Sequence, residues 1–409
     1  MLRKIQIFIM MVGTIAMNLV AVTYSIQADE INQNIKAAIV VDANEGQILY
    51  QKNSEQKYPV ASMTKLLTAL VLLDQIKAKK ISWDTKVVPT STQVKLSHES
   101  GLTNVPLEEN HQYTIYQLYQ ALLVGSANAS AMVIAKAVAG NQEDFIKLMK
   151  QKSEKLGIYD EEIHNANGLP NGMLENERDK NADKDAENKF SARDMAIIAK
   201  ALIKQHPEVL KTTSLKSLNF NDQGKKTMVN NTDTLLQNQD LKVDGLKTGT
   251  SDAAGKCFVG TANKDGHRII TVVIGAQTDA SRFAITQQLM EETYQNHNIY
   301  DIKKGQIIPV MKQVKVQNGT KKNVKIKASE PMTLYVGKND KVETELITKD
   351  GKPVKPLIKV NEKLGTAHMR TTDHQGYLNG NTHLDVKVQA AQKVESDNLF
   401  IRLFERIAA

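Results

Sequence analysis

The sequence predicts an α/β fold in which one antiparallel sheet is flanked by helices, followed by a small all-β domain and a C-terminal amphipathic helix. Three observations point there. β-Prone runs stand at both ends of the first two-thirds of the chain with helical periodicity between them. Beyond about Tyr294 the chain turns to short Val/Ile/Lys runs punctuated by Gly305, Gly319, Gly337 and Gly351. Leu399, Phe400, Leu403, Phe404 and Ile407 then fall on one helical face, with Arg402, Glu405 and Arg406 opposite. A length of 409 residues, 41% of them hydrophobic and 24% charged, suits a folded chain of more than one domain. The single cysteine excludes an intramolecular disulfide and any multi-cysteine metal site. Nine prolines and 22 glycines exclude a collagen-like or proline-rich chain.

At the N-terminus, Arg3 and Lys4 precede an apolar run from Ile5 to Val22, and Ser25-Ile26-Gln27-Ala28 ends on a small residue. This is the three-part pattern of a secretory signal peptide over residues 1–28, with export of the rest. The run is interrupted by Gly13, Thr14 and Asn18 and is short for a bilayer span, so an uncleaved anchor is the lesser alternative. From Lys36 to Lys52, two β-prone runs flank Asp42-Ala43-Asn44-Glu45-Gly46 and read as a hairpin. After Pro59 the period changes. Met63, Leu66, Leu67, Leu70, Val71 and Leu73 put apolar character around nearly the whole circumference of a helix, as happens when a helix is buried.

Ile115 to Ala139 form a second helical stretch broken by Gly125, and Ala192 to Lys204 a third; the charged run Glu175 to Lys189 reads as a solvated, mobile loop. Strands return from Val243 to Ala276, where Asn263-Lys264-Asp265-Gly266 joins a hairpin. The organisation expected is therefore a first globular domain over 29–295, a β-rich domain over 296–390 and an amphipathic helix over 391–409 that lies in a membrane interface. Docking of that helix on its own domain is the alternative.

The 53 basic and 45 acidic residues leave a formal charge of +8. Residues 301–393, with 18 lysines and arginines against nine acids, hold that excess. A solvated β surface and an adhesive face for anionic wall or lipid fit this equally, and nucleic acid is not implied.

Chemistry concentrates in three short motifs. A serine hydroxyl is a weak nucleophile until a base within hydrogen-bond reach takes its proton. The nucleophile elbow G-x-S-x-G is absent, which leaves lysine as the base, provided that burial or a second cation lowers its pKa. In S-x-x-K at a helix start, hydroxyl and amine share one face. Ser54-Glu55-Gln56-Lys57 lies in a polar stretch with nothing to desolvate the lysine, whereas Ser62-Met63-Thr64-Lys65 opens the buried helix. Ser126-Ala127-Asn128 follows Gly125 at the break between two apolar helices, where a loop can aim a hydroxyl and an amide into a cleft. Ser217-Leu218-Asn219 and Ser396-Asp397-Asn398 repeat the pattern without such a setting. Lys247-Thr248-Gly249 occurs once, in a β run before Thr250; its glycine lets a substrate backbone approach the strand edge, and its lysine offers charge to a carboxylate.

The ordered set resembles the low-molecular-weight penicillin-binding proteins of the serine D-alanyl-D-alanine carboxypeptidase family, over about residues 35 to 295, including Val243 to Thr250 and Ala254-Gly255. The resemblance implies a penicillin-binding, serine β-lactamase-like catalytic domain. It implies that Ser62 attacks the carbonyl between two terminal D-alanines, with Lys65 as general base and Ser126 as proton relay. By the same likeness Asn128 fixes the substrate amide and Lys247 polarises the relay. The N–H groups of Ser62 and Thr250 form the oxyanion hole, and Thr248, Thr250 and Arg282 bind the terminal carboxylate beside Gly249. The implied partners are stem peptides ending in D-Ala-D-Ala, β-lactams as acylating inhibitors and a membrane surface; no cofactor or metal is required. His98, His111 and His164 read as polar or loop residues and Cys257 as a core residue.

One departure is the charged insertion between Asn167-Gly168-Leu169 and Phe190-Ser191-Ala192-Arg193-Asp194. A serine β-lactamase is the enzymatic rival, because Glu161 to Asn165 and Glu177 to Asn181 approximate its E-x-x-L-N motif, with His164 and Lys180 where leucine belongs. A D,D-transpeptidase or endopeptidase, and a non-catalytic wall-binding module, are the others.

Overall fold

The computed structural model describes residues 34–401 apart from 223, 349 and 350. The signal segment expected over residues 1–28 lies outside the described residues. The N-terminal hairpin forms as β1 (Ala37–Asp42) and β2 (Ile48–Lys52). Six helices follow: α1 (Lys65–Lys77), α2 (Ser91–Ser97), α3 (Ile115–Val124), α4 (Asn128–Ala139), α5 (Gln142–Lys155) and α6 (Ala192–Gln205). After a short α7 (Val209–Thr213) come a two-stranded hairpin, β3 (Ser217–Asp222) and β4 (Lys225–Asn230), and the strands β5 (Val243–Ser251), β6 (Gly255–Lys264) and β7 (His267–Ala276). Helix α8 (Asp279–Asn296) closes this part.

The sheet order is β2-β1-β7-β6-β5, antiparallel throughout, so strands from the two ends of the domain complete one sheet and β5 is left at an edge. β1 is buried along its whole length because both sheet faces are covered. Ile39, Val41, Ile270 and Val272 face the cluster that contains α1, while Ala38, Val40, Ile269 and Val273 face Phe283, Leu289 and Met290 of α8. The β6–β7 connection is tighter than the four-residue loop expected: only Asp265 and Gly266 intervene, with φ of 54° and 90°, the double left-handed geometry that matches strand twist.

Helix α1 has nine consecutive buried residues, Lys65 to Leu73, as its all-round apolar pattern predicts. It is preceded by a 3-10 turn, Ala61–Thr64, rather than starting as an α-helix at Ser62. In such a turn residues three apart eclipse one another, which aligns position 62 with position 65 more directly than α-helical spacing does.

The charged segment Glu175 to Lys189 is exposed on its outer face but tied down, contrary to the mobile loop expected. Asn171 Nδ2 donates to the carbonyls of Asp179, Ala182 and Asp183, and the Glu177 carboxylate accepts from Thr90 and Gln93 of the α2 start. The Ser191-to-Asp194 motif is a capping box: Asp194 N donates to Ser191 Oγ and Ser191 N to the Asp194 carboxylate.

The C-terminal part has its own core, with Val324, Ile326, Leu334, Met369 and Val388 at its centre. Its strands are β8 (His297–Ile302), β9 (Gln313–Lys315), β10 (Asn323–Ala328), β11 (Met332–Gly337), β12 (Val342–Thr348), β13 (Lys363–Thr371) and β14 (Leu384–Ala390). They form a five-stranded sheet, β9-β10-β14-β13-β12, beside the β8–β11 pair. Gln47 joins the two parts by exchanging two hydrogen bonds with the Tyr335 backbone, at 2.8 and 3.0 Å.

Residues 391–398, expected to begin the amphipathic helix, instead continue the β-domain. Val394 is buried and bridges Ile358, and Ser396 bridges Gly319. Helical backbone begins at Leu399 and is described to Ile401; the rest of the expected helix, 402–409, lies outside the described residues.

Candidate active site

The 3-10 turn leaves Ser62 half-buried and puts Lys65 fully inside. Lys65 Nζ stands 2.7 Å from three oxygens: Ser62 Oγ, Asn128 Oδ1 and the carbonyl of Asn167. No carboxylate is among these contacts. Burial, reinforced by the positive charge of Lys247, holds the Lys65 amine well below its ordinary pKa of 10.5.

Asn128 opens α4, and its own amide is fixed from the other side. Its Nδ2 donates to the carbonyl of Thr103 at 3.0 Å, and the same carbonyl accepts from its backbone N–H. One amide hydrogen therefore remains for a ligand, while Oδ1 serves the lysine. Ser126 is 3% exposed and sits in the left-handed region at φ 57°, an uncommon conformation for a non-glycine residue. The Thr103 hydroxyl donates to its carbonyl at 3.1 Å, so one segment clamps both Ser126 and Asn128.

On the opposite wall, Lys247 is 2% exposed and donates to the carbonyl of Thr248. Burial and the nearby Arg282 guanidinium bring its pKa down to about 7. The hydroxyls of Thr248 and Thr232 are 2.6 Å apart, which ties the KTG strand to the segment before it. Gly249 has a packing role beside the backbone approach expected of it. A Cβ there would lie 2.6 Å from the Val60 carbonyl and 3.1 Å from Met63 Cγ, so the glycine lets β5 lie flush against the turn that carries Ser62.

Arg282, in the first turn of α8, is buried. One guanidinium nitrogen donates to Gly249 O at 3.2 Å and Thr250 Oγ1 at 3.1 Å, and the other pairs with Asp279 at 2.8 Å. It stands behind Thr250, the exposed residue of the strand end.

Several contributors carry no side-chain signature in the sequence. The Asn167 carbonyl is a backbone group held in place because Asn165 Oδ1 accepts from the N–H groups of Asn167 and Gly168. Asn188 Nδ2 donates to Thr64 Oγ1 and Asn165 O, and the Asn188 carbonyl accepts from Val60 N, so this residue braces the serine turn from more than 120 positions away. Asp233 faces Lys247 and Arg282, and burial raises its carboxyl to about 7.

The other sequence patterns fall outside this cluster. Lys57 bonds the Asp160 carbonyl, and Ser54 bonds Gln51. Ser217 and Asn219 lie on β3, and Ser396 caps its own turn through Asn398 N. The charges acting on Glu161 are Asp194, Asp160 and Glu154, and Glu177 is engaged with α2, so neither belongs to the Ser62 cluster. Cys257 is buried, its thiol pushed up to about 11 by desolvation.

Residues 23–278 match peptidase family S11, D-alanyl-D-alanine carboxypeptidase. The chain belongs to that family. Residues 294–396 match the C-terminal domain of penicillin-binding protein 5. D-alanyl-D-alanine carboxypeptidase DacF of Bacillus subtilis is 28% identical over 346 residues, covering 83% of this chain and 82% of the relative. DacC of Escherichia coli is 33% identical over 258 residues, 62% of this chain and 60% of that one. Among solved structures, a peptidoglycan synthesis regulatory factor (PBP3) of Streptococcus pneumoniae superposes with a TM-score of 0.72 at 31% identity, covering 88% of this chain and 99% of the other. Penicillin-binding protein D2 of Listeria monocytogenes, solved in its cefotaxime-bound form, gives 0.55 at 30% identity over 64% and 97%. The two-part S11 architecture thus agrees with the fold class predicted.

Proposed function

We infer that the protein is a serine-type D-alanyl-D-alanine carboxypeptidase that removes the terminal D-alanine from peptidoglycan stem peptides and is acylated by β-lactams. The observation that carries this reading is the contact set of Lys65. A neutral amine has two N–H donors and one lone pair. Asn128 Oδ1 and Asn167 O can only accept, so they take the two donors, and the lone pair is left facing the Ser62 hydroxyl at 2.7 Å. Burial without a carboxylate partner, and a second cation beyond, favour that neutral form.

Ser62 Oγ attacks the carbonyl carbon of the penultimate D-alanine while its proton passes to Lys65. The oxyanion is held by the N–H groups of Ser62 and Thr250, each donor in comparable acyl transfer being worth about 3 to 4 kcal/mol. The C–N bond breaks as Ser126 hands its proton to the nitrogen of the departing D-alanine and recovers one from protonated Lys65, with Lys247 polarising the relay, so Lys65 is neutral again. Lys65 then takes a proton from the water that attacks and resolves the ester, and returns it to Ser62 Oγ as that oxygen leaves. Arg282 supports carboxylate binding through Thr250, whose hydroxyl it holds. In a β-lactam the same attack opens the ring and the leaving group stays attached, so the adduct persists.

The decisive experiment incubates the exported form with a diacetyl-Lys-D-Ala-D-Ala tripeptide and assays free D-alanine, alongside mapping of a fluorescent penicillin adduct to Ser62. Cross-linked stems without free D-alanine would make transfer the activity. Adduct turnover within seconds would make it a β-lactamase, and neither product nor adduct would leave a binding module.

A pH dependence follows from the direction of the lysine shifts. Acylation requires neutral Lys65, so its rate falls as pH drops through the depressed pKa of that amine, with the limb well below the 10.5 of an ordinary lysine. Stopped-flow acylation across pH checks this, and a limb confined to strongly alkaline solution would contradict it. Stability moves in the same sense. Between about 7 and 10.5 the unfolded chain binds more protons at Lys247 than the folded chain does, so this group opposes folding most below about 7 and the penalty is relieved as pH rises.

Residues 1–28 direct export, 29–295 form the catalytic domain, and the chain from Leu399 onward rests on the outer face of the membrane. Leu399 and Phe400 support this, being 62% and 82% exposed. Deleting residues 399–409 is expected to move the protein from the membrane to the soluble fraction, and unchanged partitioning would refute the anchor.

A further inference from the structure

We propose that the C-terminal β-domain carries a transition-metal site, with Zn²⁺ as its ion, formed by His368, His383 and Asp385. Strand register pairs His368 of β13 with Asp385 of β14 on one side and with Glu345 of β12 on the other, so these side chains share one sheet face. His383 precedes Asp385 by two residues and joins the same face. The Nε2 atoms of both histidines lie 3.2 Å from a single oxygen, Asp385 Oδ1. The two rings stack with centroids 4.0 Å apart at 19°, so one imidazole must turn out of the stack before both in-plane nitrogen lone pairs point at one ion. All three potential donor atoms lie within 4.8 Å of one another.

These separations suit a small tetrahedral ion. With bonds of about 2.0–2.1 Å to imidazole and carboxylate, such an ion sets its donors roughly 3.4 Å apart. Two edges of the triangle are already near that length. Two imidazole nitrogens with one carboxylate select Zn²⁺, or Cu²⁺ and Ni²⁺, over Mg²⁺ and Ca²⁺, which take oxygen. A fourth position is open to solvent or to the Glu345 carboxylate across the strand.

The position in the fold gives the site a consequence. His368 stands just before the chain leaves β13, and His383 where it returns to β14. The loop between them reaches the catalytic domain: Gly376 O accepts from Ile48 N at 2.9 Å, Leu378 N donates to Gly46 O at 2.8 Å, and Tyr377 O accepts from Arg193 at 3.0 Å. An ion on the three side chains fastens the two stems of this interdomain loop. By binding the folded chain, it also raises the stability of that state.

The test uses the exported chain without an affinity tag, stripped with chelator and titrated with ZnCl₂ by calorimetry. One Zn²⁺ per chain at micromolar affinity is expected, with a rise in melting temperature that MgCl₂ does not reproduce. Co²⁺ substitution should give the visible absorption of a tetrahedral centre. His368→Gln and His383→Gln should each weaken Zn²⁺ binding by about tenfold or more, as loss of a metal-site partner does, and leave penicillin acylation of Ser62 unchanged. No binding at micromolar Zn²⁺ would overturn the proposal. So would a stoichiometric site that survives in both variants, since the ion would then lie elsewhere.

Discussion

Replacing Lys65 by methionine is expected to slow acylation of Ser62 by a penicillin about 10³-fold, within the range that a positioned general base contributes. Methionine is unbranched and adaptable, so it can occupy the buried channel that the lysine stem fills. The change removes the lone pair that faces Ser62 Oγ and leaves Asn128 Oδ1 and Asn167 O without their donor. Each acceptor so abandoned costs about 1–3 kcal/mol, offset by relief from burying an amine, so a folded protein with a modestly altered melting point is expected. Single-turnover labelling with a fluorescent penicillin reads the rate, and circular dichroism reads the fold. A rate within tenfold of the parent chain would remove Lys65 from the role of base.

The second large effect is expected from Gly168→Ala. Gly168 has φ of +81°, and a Cβ there would lie 1.9 Å from the Ala61 carbonyl oxygen and 2.9 Å from Thr64 Oγ1. The obstacle is backbone, and it belongs to the turn that carries Ser62. Either that turn shifts or the 165–168 loop does, and the second would carry away the Asn167 carbonyl that binds Lys65. A loss of more than about 3 kcal/mol in urea unfolding is expected, together with loss of labelling. Gly266→Ala separates the two causes: its φ is +90° but nothing lies within 4 Å of the added atom, so only the conformational penalty of about 1 kcal/mol applies. Equal losses for the two variants would show that contact with Ala61 carries no energy.

Much of this arrangement was legible in the sequence where the signal is local. Ser62 and Lys65 are one turn apart, and the apolar residues around them declare burial, so the hydroxyl, the amine and the desolvation that couples them could be read together. The KTG strand and the β6–β7 hairpin were readable for the same reason. What escaped was carried by backbone or by distance. The Asn167 carbonyl has no residue type of its own, and Asn188 looks like one more polar residue in a charged run until the fold seats it against Thr64. Helices α2 and α5 and the long α8 passed unread because polar faces dominate them, and α8 is defined by Phe283, Leu289 and Met290 meeting the sheet. The boundary at 391 failed because Val394 and Ser396 read as tail by composition, while strand pairing decides their place.

The shortness of the open end of β5 has a consequence for the molecule in a crowd. An unpaired strand edge is a template on which a neighbouring polypeptide can add in extended register. Here all but the last residues are covered: of nine in the strand only Thr250 is exposed, and Asp244 and Ser251 are half-buried. One exposed residue is little purchase for another chain, so the edge that borders the Ser62 turn offers a neighbouring copy almost no free strand to extend.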